Sequence, residues 1–140
     1  MYENLTKYLD EIKMDDIGTW TPAKEKNENG MRMIIPGFLN YSRWVIQFIK
    51  DVNEFVRQYS DMDLHHYHDI LETYGILKNG PESVAKADAS KMDAGCALTC
   101  LVYVVRGDYF SQGFLYEFLE NGCISKWLRR LKELDNQGNE

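Results

Sequence analysis

The longest regular pattern of apolar positions runs from Asn40 to Tyr59. Tyr41, Trp44, Val45, Phe48, Ile49, Val52, Phe55, Val56 and Tyr59 recur every three or four residues. Arg43, Gln47, Lys50, Asp51, Glu54 and Arg57 fill the opposite side. That period predicts one amphipathic helix with a wide aromatic stripe, and Asn40 is its expected N-cap. Such a stripe needs a large apolar partner surface. The stretch Ala94 to Leu115, AGCALTCLVYVVRGDYFSQGFL, supplies it: apolar on every side to Val105, broken at Arg106-Gly107-Asp108, restarting at Tyr109-Phe110. An element apolar all round is a buried one. Its centre, Leu101-Val102-Tyr103-Val104-Val105, also suits a strand. The chain offers no second long strand to pair with it, so a helix over 90–106, capped by Asp88 or Ser90, is the expectation.

The other segments read as shorter elements around that centre. Tyr2, Leu5, Tyr8, Leu9 and Ile12 have helical spacing over 2–14, and Ile124, Trp127, Leu128, Leu131 and Leu134 mark a last helix over 123–135. Residues 64–74 suit a short helix ended by Gly75, and Pro81 suits the first turn of another that reaches Ala87. Gly113 interrupts a further run that continues to Glu120 and ends at Asn121-Gly122. Between 15 and 38, Thr19–Pro22 and Met31–Pro36 flank an Asn29-Gly30 turn signal. They predict a small β-hairpin whose strands Pro22 and Pro36 limit, or else an ordered loop pinned by Trp20. The fold class is therefore mainly α: a compact five- or six-helix bundle around a buried central helix (90–106), with a small hairpin or ordered loop at 15–38. Residues 1–135 form a single domain and 136–140 a frayed tail.

Composition narrows the function classes. A chain of 140 residues makes one domain. The net charge of −6, from 16 basic and 22 acidic residues, argues against nucleic-acid binding, which calls for a basic face. No window approaches the roughly 20 apolar residues that span a membrane, and MYENLTKYLDEIK lacks the basic flank and apolar core of a secretory signal. Cys96, Cys100 and Cys123 are an odd set with no CxxC, as expected of reduced thiols in the cytoplasm. Cys96 and Cys100, spaced i,i+4 beside Ala94, Gly95 and Ala97, read as small packing residues.

From the central segment onward the sequence resembles a bacterial family of unknown function. That family's motif is an apolar Leu-Thr helix, then Arg-x-x-Arg-Phe-x-x-Gly-x-Leu, then a glycine and an Ile-x-x-Leu-Arg-Arg-Leu ending. The matching positions are Leu98-Thr99, Arg106, Phe110, Gly113, Leu115, Gly122 and Trp127-Leu128-Arg129-Arg130-Leu131. Tyr41-Ser42 followed by Phe48 resembles an earlier Tyr-Ser helix of the same family. Tyr109 stands where the family has its second arginine, and Gln112 where glutamate is common, so an activity resting on those charges would be lost here. The resemblance implies a fold and brings no assigned reaction.

Two groups of residues are chemically suggestive. Asp61, Asp63, His65, His66, His68, Asp69 and Glu72 are the densest set of metal-ligand types. On a helix, His65–Asp69 and His68–Glu72 would be i,i+4 pairs, each able to hold one metal ion. An acidic, solvated helix start is the plainer reading, and no cofactor is expected. Arg106 and Asp108 close the apolar stretch, where they either cap and pair structurally or anchor an anionic ligand. With Tyr109, Gln112 and a loop-borne Trp20 they form the candidate ligand or partner site. Lys126, Arg129, Arg130 and Lys132 make a small basic face on the last helix. There is no Gly-rich phosphate loop, no defensible Ser-His-Asp order and no HExxH. The expected function is a non-catalytic protein-interaction or adaptor module. It would meet an unknown protein partner or a second copy through the aromatic helix or the last helix. A small-molecule binding protein or enzyme, with a pocket around Arg106, Asp108 and Tyr109, is the alternative.

Overall fold

The computed structural model describes residues 1–13, 15–26 and 32–138. The elements are α1 (Glu3–Thr6), β1 (Gly18–Lys26), β2 (Arg32–Tyr41), α2 (Arg43–Gln58), α3 (Tyr67–Tyr74), α4 (Pro81–Lys86), α5 (Ala94–Phe110), α6 (Phe114–Glu120) and α7 (Cys123–Gly138). Single 3-10 turns occupy Lys7–Asp10, Ser60–Met62, Leu64–His66 and Ala89–Lys91. The mainly helical bundle with a small hairpin is what the apolar pattern predicts. It has seven α-helices among the described residues rather than five or six, because α1, α4 and α6 are short pieces of two turns or less. No helix among the described residues is long and apolar enough to cross a membrane.

Helix α5 is the centre. Every residue from Cys96 to Val105 is buried, and α2, α3, α6 and α7 all pack on it. The helix thus wins over the strand: four helical neighbours cover all its sides, while a strand would need a ladder partner. Its ends differ from the expectation. Asp93 is the N-cap, its carboxylate accepting the Cys96 N–H at 2.8 Å. Asp88 instead caps the turn Ala89–Lys91, accepting from the Ser90 N–H at 3.0 Å. At the other end the helix does not break at Arg106-Gly107-Asp108 but continues to Phe110. Gly107 serves a close approach rather than a turn, since a Cβ there would lie 2.5 Å from the Phe114 ring.

The aromatic stripe of α2 is filled from within the chain. Val45, Phe48, Val52, Phe55 and Val56 are buried, and Tyr8 meets Phe48 edge-on at 5.2 Å. Ser42, not Asn40, precedes this helix; its hydroxyl donates to Asp16 at 2.7 Å, while Asn40 belongs to β2. The N-terminal segment is shorter than a 2–14 helix, being α1 and one 3-10 turn. It is held by the Tyr8 hydroxyl donating to Asp51 and by an Lys7–Asp51 ion pair at 3.2 Å.

Helix α7 buries Ile124, Trp127, Leu128 and Leu131. Two of its four basic residues are structural ties. Lys126 Nζ donates to the carbonyls of Ala85 at 3.1 Å and Ala87 at 3.3 Å, and Arg130 Nε to that of Met92 at 2.8 Å. They satisfy acceptors left free at the end of α4 and before α5. The helix extends to Gly138, past its expected end.

Strands β1 and β2 are antiparallel, in register from Gly18↔Tyr41 to Thr21↔Phe38 and again from Ala23↔Ile35 to Lys26↔Arg32. The slip between them places Pro36 and Gly37 opposite Pro22, so the prolines lie within the strands and do not limit them. In a two-stranded ribbon each strand is an edge, where every second N–H points away from the partner and can be missing, and a bulge absorbs the irregularity. The Asn29-Gly30 turn lies outside the described residues.

Candidate functional site

The corner where α5 gives way to α6 gathers the sequence-predicted site residues. Ser111, Gln112 and Gly113 make the link, and Gly113 adopts φ +95, a left-handed conformation that disfavours a Cβ. A Cβ there would also lie 2.9 Å from the Trp20 ring, so the hairpin's tryptophan rests on this glycine. The Gln112 side-chain carbonyl accepts the Leu39 N–H at 2.9 Å, a second tie between hairpin and corner.

Asp108 turns inward. One of its carboxylate oxygens accepts from the Tyr41 hydroxyl at 2.7 Å and from the Gly113 and Leu115 N–H groups, each at 3.1 Å. The Tyr41 oxygen in turn accepts the Tyr116 N–H at 3.2 Å. Asp108 and Tyr41 thus satisfy orphan donors at the start of α6 and lock it to the base of β2. Arg106 is exposed and makes no ion pair among the described residues. It does not pair with Asp108, because two residues along a helix point to different sides.

Burial pushes the Tyr41 hydroxyl pKa well up, and its bond to the Asp108 carboxylate adds to this. Tyr8 is raised in the same way, by burial and then by Asp51. Tyr74, which donates to Asp93 at 2.8 Å, is pushed up to about 12, again by burial first. A folded-state pKa above the unfolded value of about 10 gives stability that is present below that value and lost as pH rises beyond it. Stability is therefore expected to hold to about pH 10 and to decline above it. Tyr41→Phe should flatten that decline, as read from urea unfolding at successive pH values between 8 and 11.5.

The two residues after Asp108 face outward. Tyr109 is 90% and Phe110 84% exposed, the two highest values for large apolar side chains among the described residues. Phe38, at 61%, and Trp20, at 46%, stand on the adjoining hairpin. Beside this corner opens a trough of about 240 Å³ between α3, α5 and α6. Its walls are Tyr67, His68, Pro81, Tyr103, Phe110 and Phe114, with Gly107 and Ser111 at the α5 end. Arg106, Asp108 and Tyr109 are not among them.

A larger hollow of about 620 Å³ lies between the N-terminal segment and α2. It is an open shelf of mixed charge, with Asp10, Glu11 and Asp16 facing Lys13 and Arg43. The Trp44 indole in its wall is already engaged, donating to the Asp16 carbonyl at 2.6 Å.

The histidines are distributed differently from the i,i+4 reading. His65 stands in the 3-10 turn before α3, so its spacing does not place it on one α-helical face with Asp69. The structure instead brings His65 and His66 together with Asp63, ligand atoms within 4.8 Å of one another, all three exposed. His68 and Glu72 lie on α3, but the His68 ring packs edge-on against Tyr103 at 6.0 Å. No hydrogen bond among the described residues orients the Asp63, His65 or His66 side chains. Cys96, Cys100 and Cys123 are free and buried. A hydrogen bond to Cys96 and burial push the Cys100 thiol pKa up, leaving an unreactive packing group.

The trough carries no signal in the sequence, and of the exposed ring pair the sequence marks Tyr109 as a site candidate but not Phe110. Tyr109 and Phe110 read there as the restart of an apolar run, and the trough joins residues from 67 to 114 that no local spacing connects. A family model described as "Family of unknown function (DUF6508)" matches residues 2–137, and the chain belongs to that family. No curated protein and no solved structure gives a significant match.

Proposed function

We propose that this DUF6508 chain is a cytoplasmic bacterial protein-interaction module without catalysis, and that it docks its partner on the corner formed by Tyr109 and Phe110. The observation that carries this reading is a pair of consecutive aromatic side chains at the last turn of the central helix, 90% and 84% exposed. Tyrosine and its neighbours in kind supply much of the binding energy at interfaces, and rings on a rigid element lose little entropy on docking. Here the rigidity comes from the Asp108–Tyr41 bonds and the hairpin ties through Gln112 and Trp20. The aromatic helix and the last helix, the surfaces that their apolar stripes suggest, spend those stripes inside the bundle. Three buried free thiols suit a reducing compartment, and the net charge of −6 favours a protein partner or a second copy over nucleic acid.

The test is a Tyr109→Ala/Phe110→Ala double variant. Because both side chains are exposed, its stability should match the parent within about 0.5 kcal/mol. Its partner affinity, or its self-association by analytical ultracentrifugation, should fall at least tenfold, a loss of about 1.4 kcal/mol. Unchanged self-association, together with an unchanged set of co-purifying proteins, would refute the reading.

A further inference from the structure

The lining of the trough beside the aromatic corner specifies an occupant. Its facets are the rings of Tyr67, His68, Tyr103, Phe110 and Phe114, with the flat ring of Pro81 closing one side. They stand steeply to one another: 73° between His68 and Tyr103, 81° between Tyr103 and Phe114, 59° between Tyr67 and Tyr103. No lysine, arginine or carboxylate lines the trough. The hydroxyls of Tyr67 and Tyr103 make no hydrogen bond among the described residues, so two donors stand unspent at its wall. Phe110, 84% exposed, forms its outer rim.

We propose that this trough binds a proline-rich segment of the partner in the polyproline II conformation, a proposal that rests on the interaction reading above. A polyproline II strand has no internal hydrogen bonds, so its carbonyls are free acceptors, and proline contributes no N–H in return. A site offering hydroxyl donors and apolar facets, with His68 as its one readily titrated side chain, is complementary to that backbone. An amphipathic helix, about 10 Å across, needs a continuous groove for four successive anchors. A hollow of about 240 Å³ takes one or two proline rings. An ammonium group would gain from the ring faces, but here it would meet no carboxylate. The preformed conformation of the ligand keeps the ordering cost low.

The experiment is a titration of the full chain with decaproline, followed by isothermal calorimetry and by the tyrosine ring resonances in carbon–proton correlation spectra. A glycine–serine decapeptide and choline serve as comparison probes. Saturable binding of decaproline with shifts at Tyr67 and Tyr103, and no such response to the other two probes, is the expected result. Phe110→Ala should weaken binding tenfold or more. Tyr67→Phe, which removes one hydroxyl and keeps the ring, should weaken it about three- to tenfold, the effect of one hydrogen bond. The proposal is overturned if decaproline gives no saturable response at millimolar concentration, if the glycine–serine peptide binds as well, or if both variants bind like the parent. Choline shifting the same rings more strongly would overturn it too, assigning the trough to a cation instead. Failure of decaproline, with the Tyr109→Ala/Phe110→Ala variant still losing its partner, removes the proline-rich occupant and leaves the interaction reading standing.

Discussion

Trp127→Ala is expected to lower the unfolding free energy by about 4 kcal/mol, since it empties the site of the largest fully buried side chain in the core. The indole sits on α7 and meets α6 through Phe118. Its ring lies 5.7 Å from that of Phe118, which lies 5.1 Å from Phe114, which meets Tyr103 edge-on at 5.5 Å. Truncation therefore opens a cavity at one end of a line of rings whose other end forms the wall of the trough. On the α6 side the bundle closes on that cavity by moving a helix that Asp108 holds at its start. Because the indole N–H has no acceptor among the described residues, Trp127→Phe gives up volume without giving up a hydrogen bond. It should cost less than half as much. Urea unfolding of the two variants separates the terms, and a loss below about 1 kcal/mol for Trp127→Ala would mean that the ring does not seal the core. For a domain stabilised by about 5–15 kcal/mol in all, the expected loss is a large share of the total.

Much of this core was legible because periodicity reports burial directly. The stripe from Trp44 to Tyr59 and the Trp127–Leu131 face fall where a 3.6-residue repeat puts them. The segment from Cys96 to Val105 could be placed at the centre because it has no polar face at all. What periodicity does not encode is which of several equivalent groups wins a local contest. Asp88, Ser90 and Asp93 are all good caps within six residues, and only the path of the chain after Ala87 gives Asp93 the Cys96 N–H. Gly107 carries two meanings, a break or a close approach, and only the Phe114 ring from α6 selects the second. Pro22 and Pro36 limit strands in a wide sheet but not in a two-stranded ribbon with a bulge between them.

The site was less legible, for a related reason. Arg106 and Asp108 stand out as charges ending an apolar run, yet a sequence does not say which way a residue faces when the run continues as helix. Two positions apart on α5, one meets solvent and the other meets Tyr41 and the start of α6. Aromatic residues raise the opposite problem. Tyr109 and Phe110 have the composition of core and the exposure of an interface. His68 reads as half of a ligand pair until Tyr103, 35 positions on, supplies a ring against it. Contacts of that range leave no spacing to read.

Asp108→Ala should cost about 3 kcal/mol, although the residue is only half-buried. The substitution removes an acceptor from three donors at once: the Tyr41 hydroxyl and the N–H groups of Gly113 and Leu115. Loss of a helix cap accounts for about 1 kcal/mol. Hydrogen bonds to a charged acceptor, with donors left unpaired at the α5–α6 corner, account for most of the remainder. Asp108→Asn keeps an oxygen at the same place and loses the charge, so about 1 kcal/mol is expected for it. A double-mutant cycle with Tyr41→Phe isolates the side-chain pair. A coupling of about 1 kcal/mol or more supports the geometry, while additive losses would show that the two groups act independently. The same variants bear on the proposed interaction surface. If Asp108 fixes the direction in which Tyr109 and Phe110 project, Asp108→Asn should weaken partner binding less than Asp108→Ala does, in the same order as the stabilities. If binding follows the Tyr109→Ala/Phe110→Ala change alone and ignores Asp108, the rings act without the support of the corner beneath them.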